Sequence, residues 1–439
     1  MTARELAYKI LKGARASATY SNIAVDNALS KNQLSESDKG LLTAIVMGVT
    51  ERQLTLDYII DRLATRPDGI EDEARVLLQM GIYQVAFLDR IPEYAAVNET
   101  VDLAPKRCRG FVNAVLREFL RRQERGEIES LYPKKEDGEA KYLSVRYSFP
   151  EDFVERLIKI YGYERCERLL DIFNRPPKLT LRVNTLKISR GDYSERLSQV
   201  GIEHILSERL PDAIIIEKGS FACLPGFDEG LFFVQDEASQ ICVEALGATE
   251  GATVIDTCSC PGSKSFGSAI KMKNKGQIYS FDLHKSKLRL ISDNAQRLGI
   301  DIISADVRDG REPDGTLFGK ADRVLCDVPC SGLGVVAKKP EIRYKPLKSF
   351  SRLPEIQYSI LKASADYVKE GGVLVYSTCT VLPEENAENF EKFLREHPNF
   401  APCDFSVGEL SSVGGMLSLS PDLDGTDGFF VAKCIRKEK

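Results

Sequence analysis

Histidine is scarce in this chain: His204, His284 and His397 are the only three in 439 residues, and they lie far apart. Cys258 and Cys260 stand two apart, but no second cysteine pair follows at zinc-finger spacing. Four convergent ligands cannot be assembled from that set, so no metal site is expected. Long apolar runs are missing too. None approaches the roughly 20 residues that cross a bilayer, so no membrane partner is expected. The start, Met1-Thr2-Ala3-Arg4-Glu5, is polar and lacks the apolar core of a secretion signal, which points to a cytoplasmic protein. The 11 cysteines, an odd number scattered along the chain, argue against a disulfide framework. Cys166, Cys242 and Cys434 read instead as small apolar core residues. Positive charge is not in excess either, with 60 Lys and Arg against 65 Asp and Glu. That excludes a surface coated in positive charge and leaves only local basic patches to grip a polyanion.

What is present fits an ordinary multidomain globular protein, two to four domains at roughly 100–200 residues each. Residues 1–128 carry apolar residues at helical period, for example Leu41, Leu42, Ile45 and Val49, then Leu56, Ile59, Ile60 and Leu63. Ser35 or Ser37 is placed to cap the first of these stretches. An all-α bundle is expected there. Residues 123–144 are highly charged and without strong period, and read as a linker. A small α+β module is expected at 145–225, with a helix near 150–170 and strands at 179–184, 213–216 and 231–234.

From residue 226 to 439 the pattern becomes α/β. Apolar runs of strand length (253–256, 277–282, 302–306, 324–327 and 373–377) alternate with helical stretches. That predicts a Rossmann-like, doubly wound parallel sheet covered on both faces. Residues 428–433 add an expected edge strand. Four of the runs end in aspartate: Asp256, Asp282, Asp306 and Asp327. Ligands of such sheets bind outside the carboxyl ends of the strands. Four carboxylates at one edge need a partner with a positive centre and several hydroxyl and amine donors, and S-adenosylmethionine answers that description. The turn Cys258-Ser259-Cys260-Pro261-Gly262-Ser263-Lys264 is neither a GxxxxGK[ST] phosphate loop nor a GxGxxG dinucleotide loop. Its small residues suit close approach of backbone to a ligand.

Two cysteines sit just past strand ends, in Asp327-Val328-Pro329-Cys330-Ser331-Gly332 and in Ser377-Thr378-Cys379-Thr380. Their strands are expected to be neighbours, so both thiols open on one cleft. Cytosine chemistry explains such a pair. Carbon 5 of a pyrimidine is a poor nucleophile until a thiolate adds at carbon 6, after which it can attack an electrophilic methyl group. Asp327 is placed to support the ring at N3. Either thiol suits the attack on these grounds.

These residues resemble a known family. The run from Asp327 to Gly332 is similar to the D-x-P-C-S-G motif of RNA cytosine-5 methyltransferases. Thr378-Cys379-Thr380 through Glu385-Asn386 resembles their T-C-S-x-x-x-x-E-N motif, and Cys258 to Lys264 their C-A-A-P-G-G-K loop. Leu181-Arg182-Val183-Asn184 and Phe233 to Ser239 resemble further signatures, and Ala96-Val97-Asn98-Glu99 with Phe111 to Arg117 resembles a NusB-like RNA-binding domain. The combination looks like the bacterial 16S ribosomal RNA cytosine-5 methyltransferases of the RsmB/Sun (Fmu) type. The resemblance implies that Cys379 is the nucleophile, that Cys330 assists product release and that Asp327 supports the base. It implies that Cys258, Ser259, Cys260, Pro261, Gly262, Ser263, Lys264, Asp282, Asp306 and Asp327 hold S-adenosyl-L-methionine. It departs from the family at Ser259-Cys260 for A-A, at Ser263 for the second G, and at Thr380 for Ser. For the adenine contact, Asp306 is preferred to Asp309.

The substrate implied is small-subunit ribosomal RNA, free or in an early assembly intermediate, bound by a monomer. Lys106, Arg107, Arg109, Arg117, Arg121, Arg122 and Arg125 form one basic stretch; Lys338, Lys339, Arg343, Lys345, Lys348 and Arg352 form another, soon after Cys330. Both suit a phosphate backbone. The target base must leave any helix to reach a thiol. Two competing readings are a methyltransferase of small molecules or proteins with structural cysteines, and a non-catalytic RNA-binding assembly factor with a decayed cleft. The P-C-Q motif of DNA cytosine methyltransferases is missing.

Overall fold

The structure, a computed structural model, describes residues 1–16, 21–219 and 221–438. The chain divides into two compact units, the first comprising residues 1–176 with 336–347, the second residues 177–335 with 348–439.

The first unit is helical. Its helices include Glu36–Glu51, Gln53–Leu63, Asp72–Phe87 and Lys106–Glu124, followed by Glu139–Tyr147, Glu151–Tyr161 and Tyr163–Phe173. Ser35 is the cap of the first of these: its side chain accepts from Asp38 N at 3.1 Å, a contact worth about 1 kcal/mol. The apolar periods predicted from sequence meet in one core around Leu42, Ile45, Leu56, Ile60, Leu77, Met80, Val112 and Leu116. Gly81 lets two of these helices close up, since a Cβ there would lie 2.6 Å from a Leu116 methyl.

The charged stretch expected as a linker is pinned rather than loose. Two short 3-10 turns, Ile128–Leu131 and Lys135–Asp137, fill it, and Leu131 is buried in the helical core. One apolar anchor has no period, which is why the sequence pattern hides it. Segment 336–347 also belongs to this unit. Arg343 in it is 1% exposed. Its guanidinium donates to Asn174 Oδ1 at 2.6 Å, Glu51 O at 3.2 Å and Phe173 O at 3.3 Å, and lies 4.1 Å from the Phe149 ring centroid.

The second unit holds two main sheets. The smaller is antiparallel, in the order β2-β3-β1-β4, with β1 Leu179–Val183, β2 Glu203–Leu206, β3 Ala213–Lys218 and β4 Phe232–Val234. Tyr193 and Leu197 of the helix Arg190–Gln199 pack in its core. The division between the units falls at Pro176, so the helices Glu151–Tyr161 and Tyr163–Phe173 lie in the first unit and this sheet in the second.

The larger sheet begins with β5 Thr253–Asp256, β6 Gln277–Asp282, β7 Ile303–Val307, β8 Ala321–Asp327 and β9 Val368–Thr378. These five are parallel, in the order β9-β8-β5-β6-β7. Two further strands, β10 Phe400–Pro402 and, after the small hairpin β11 Ser406–Val407 and β12 Leu410–Ser411, β13 Met416–Leu419, pair along one side of the final strand β14 Phe429–Arg436. Because β14 also pairs antiparallel with β9, it is an interior strand and not the expected edge.

Neighbouring residues of each central strand go to opposite faces, and both faces are buried. Val254, Leu325, Val375 and Val431 pack with Ile241, Phe266, Ile270 and Ile291 on one side. Ile255, Val324, Cys326, Leu374, Tyr376 and Phe430 pack with Ile360, Leu361, Phe390 and Phe393 on the other. Double burial explains the near-continuous apolar runs in the sequence. No described helix is long and apolar enough to cross a membrane.

Candidate active site at the carboxyl edge of the large sheet

Strands β8 and β9 are neighbours in register, Asp327 opposite Ser377, so the chain following each turns out at the same edge. Each turn carries one cysteine. The Cys330 and Cys379 sulfurs stand 3.1 Å apart, and Cys379 N donates to Cys330 Sγ at 3.3 Å. Both residues are half-buried. The hydrogen bond to Cys379, then burial and the Glu385 carboxylate, push the Cys330 thiol well above its ordinary range. No described cysteine forms a disulfide, and no described cluster of histidine, cysteine and carboxylate side chains is arranged for a metal ion.

Asp327 ends β8 with both carboxylate oxygens engaged: Oδ2 accepts from Lys264 Nζ at 2.6 Å and Oδ1 from Ser377 Oγ at 2.7 Å. Burial is the largest influence on the Lys264 ammonium and works against it, but the Asp327 charge and hydrogen bond, together with Cys242 and Cys379, outweigh it and raise the pKa. Cys379 is among the groups acting on that ammonium. The cation also lies 5.2 Å from the Phe429 ring centroid.

The loop from Cys258 to Lys264 connects β5 to the helix Ser263–Lys271. Ser259 anchors it, donating from both N and Oγ to Phe281 O at 2.8 and 3.0 Å. Gly262 then takes φ +104°, a left-handed conformation that a side chain disfavours. Ser263, where the resemblance expects glycine, is the first helical residue and half-buried. Cys258 is half-buried, its thiol pushed up by burial; Cys260 faces Lys287 O at 3.7 Å; Pro261 follows it through a cis peptide.

The strand-end carboxylates differ in setting. Asp256 is buried, accepts from Ser265 Oγ at 2.7 Å, and is pushed up to about 7, chiefly by burial. Asp282 is half-buried and accepts from His284 N at 2.9 Å. Asp306 is exposed and lies one residue before the end of β7, since Val307 still pairs with Asp282. Exposed apolar residues, Leu283 and Val307, follow these two carboxylates. Asp309 is tied to Arg311 by hydrogen bonds of 2.5 to 3.2 Å.

Sequence reasoning singled out Glu385 only as a motif letter. The fold places it at 1% exposure behind both cysteine loops. Burial, which no local pattern reveals, made it invisible. The basic stretches fare unevenly. Lys106, Arg109, Arg117 and Arg125 are exposed on or just after the helix Lys106–Glu124, Arg107 pairs with Glu71 and Glu73, and Arg121 and Arg122 pair with Glu118. In the second stretch Lys339, Lys345, Lys348 and Arg352 are exposed, but Arg343 is buried in helical packing and is withdrawn as a phosphate contact.

Comparison with known proteins matches three successive stretches of the chain. A family model described as 16S rRNA methyltransferase RsmB/F matches residues 243–435, the NusB family matches residues 1–121, and an RsmF/B-like ferredoxin-like domain matches residues 149–221. The chain is 37% identical to the probable ribosomal RNA small subunit methyltransferase B of Bacillus subtilis, over 99% of this chain and 98% of that one. It is 33% identical to ribosomal RNA small subunit methyltransferase B of Escherichia fergusonii, over 93% and 92% of the two chains. Among solved structures, PH0851 superposes with a TM-score of 0.80 at 27% identity, covering 98% and 97% of the two chains.

Proposed function

Because the chain belongs to the S-adenosylmethionine-dependent 16S ribosomal RNA methyltransferases of the small subunit methyltransferase B family, we propose that it methylates carbon 5 of a cytidine through a covalent bond from Cys379 to carbon 6. The observation that carries this reading is the pair of sulfurs 3.1 Å apart, beside the Asp327–Lys264 ion pair, at one sheet edge. Two thiols and a carboxylate–ammonium pair at one point are more than a simple methyl transfer to an oxygen or nitrogen needs. They are what making and breaking a bond to a pyrimidine ring requires.

The cytosine ring presents an amino donor at N4 and an acceptor at N3. Asp327 accepts and Lys264 donates, so the pair matches that edge. Lys264 is also the counter-charge for a thiolate at Cys379. Attack of Cys379 Sγ on carbon 6 makes carbon 5 electron-rich, while the polar pair steadies charge at N3. Bound S-adenosylmethionine supplies an electrophilic methyl group. After transfer, solvent takes the carbon 5 proton, the electron pair of that bond re-forms the carbon 5–carbon 6 double bond, and the carbon 6–sulfur bond breaks to return Cys379 as a thiolate. Cys330, held beside Cys379, assists that elimination.

The cofactor residues fit by the chemistry of their donors. Asp282 and Asp306 lie near the ends of adjacent strands, one register step apart, each followed by an exposed apolar residue, a setting for ribose hydroxyls and a flat adenine ring. With Asp309 tied to Arg311, Asp306 is the carboxylate assigned to the adenine side. The loop from Cys258 through Ser259, Cys260, Pro261, Gly262 and Ser263 to Lys264 would lie along the amino acid tail. The protein acts in the cytoplasm as a monomer, on free or early-assembly 16S RNA.

The test is methylation of 16S RNA transcript with methyl-labelled cofactor, followed by digestion to nucleosides. Label in 5-methylcytidine is expected. Label in any other nucleoside overturns the carbon 5 assignment, and cofactor-bound protein that never labels RNA favours a non-catalytic assembly factor.

A further inference from the structure

The carboxylate behind the two cysteine loops pairs with no cation among the described residues. Glu385 Oε2 accepts from Ser331 N at 2.9 Å and Gln357 Nε2 at 2.7 Å, and Oε1 accepts from Thr380 Oγ1 at 3.3 Å. Ser331 follows Cys330 and Thr380 follows Cys379, and their hydroxyls share a hydrogen bond of 2.7 Å. The same buried carboxylate therefore holds the residue after each thiol. Its own backbone is fixed from below, where Tyr376 OH donates to Glu385 O at 2.6 Å. Gln357 extends the clamp by donating to Pro329 O at 3.1 Å, just before Cys330. Asn386 completes it by donating to Thr380 O at 3.0 Å.

We propose that Glu385 is a positioning residue for the proposed reaction, a shared anchor that sets how the Cys330 and Cys379 sulfurs face each other. A buried carboxylate is costly, and three donors converging on it are what make it tolerable. An apolar residue would fill the space without tying one loop to the other. The Glu385 charge acts on Cys330, and the Lys264 cation acts with Cys379. Cys379, Glu385 and Tyr376 are ionisable groups that act on or with Cys330.

This inference rests on the two-thiol reading of the site, but its geometry can be read without RNA. Diamide removes a hydrogen from each of two adjacent thiols, becoming the hydrazine as the sulfur–sulfur bond forms. The full-length wild-type protein should form the Cys330–Cys379 disulfide rapidly, mapped by peptide mass spectrometry. Glu385→Ala should slow that reaction at least about tenfold, because the loops lose their common anchor. Glu385→Gln keeps an acceptor for Ser331 and Gln357 and should stay near wild type. In methylation, Glu385→Ala should lower kcat about 100-fold with unchanged KM for RNA, while Glu385→Gln recovers most of the rate. Equal diamide rates in all three proteins would overturn the proposal, as would a Glu385→Gln protein as slow as Glu385→Ala in both assays. The predicted diamide rates in a protein that methylates no cytidine would uphold the anchor and sink the cytidine reading instead.

Discussion

Replacing Asp256 by asparagine should remove a pH dependence of stability built into the sheet. Asp256 is fully buried, and burial raises its carboxyl to about 7 from an ordinary 3.8, with the Asp327 charge adding and the Ser265 hydrogen bond and Lys264 opposing. The sign follows from proton binding. Between the two values the folded chain holds a proton that the unfolded chain has lost, so stability falls as pH rises from near 4 through 7. Over the whole window the loss is about 4 kcal/mol, of which about 2.5 kcal/mol falls between pH 5 and pH 8. Asparagine mimics the neutral carboxyl and still accepts from Ser265 Oγ. Urea unfolding of both proteins at pH 5 and pH 8 should give a stability difference that shifts toward the variant by about that amount. Parallel pH profiles for the two would refute the argument that this carboxylate is destabilised by burial.

Two further expectations concern the helical unit. Arg343→Ala leaves the Phe173 carbonyl and the Asn174 side-chain oxygen without this donor, and leaves Glu51 O to Tyr344 OH alone. It should cost about 3 kcal/mol, seen by calorimetry as a drop of roughly 6–12 °C in Tm, whereas Lys348→Ala, exposed, should change Tm little. RNA affinity should fall linearly with log salt, and Arg117→Gln should reduce that slope by about one without changing which RNA is preferred.

Much of this molecule can be read from its sequence because the chemistry sits at the ends of strands. Double burial writes β5, β8 and β9 as apolar runs, and the polar residue that ends each run, such as Asp256 or Asp327, marks the cleft. The two cysteines come together because strand order alone makes β8 and β9 neighbours. What stays hidden depends on distant packing. Leu131 anchors an otherwise charged stretch, and a single buried residue has no period. Arg343 counts as a surface cation in any local reading, yet its partners come from residues 51, 173 and 174. The strand β14 looks like an edge because it is last in the chain, and only its pairing with β9, β10 and β13 reveals otherwise. Glu385 gives no local sign that its carboxylate reaches the residue after each cysteine.

The most direct test of the central claim uses 16S RNA containing 5-fluorocytidine, incubated with the protein and S-adenosylmethionine. Fluorine at carbon 5 blocks the final elimination, so a covalent protein–RNA complex should accumulate on a denaturing gel. It should vanish in Cys379→Ala, and Cys330→Ala should accumulate adduct even on unmodified RNA. An adduct that persists in Cys379→Ala would contradict the assignment of the nucleophile.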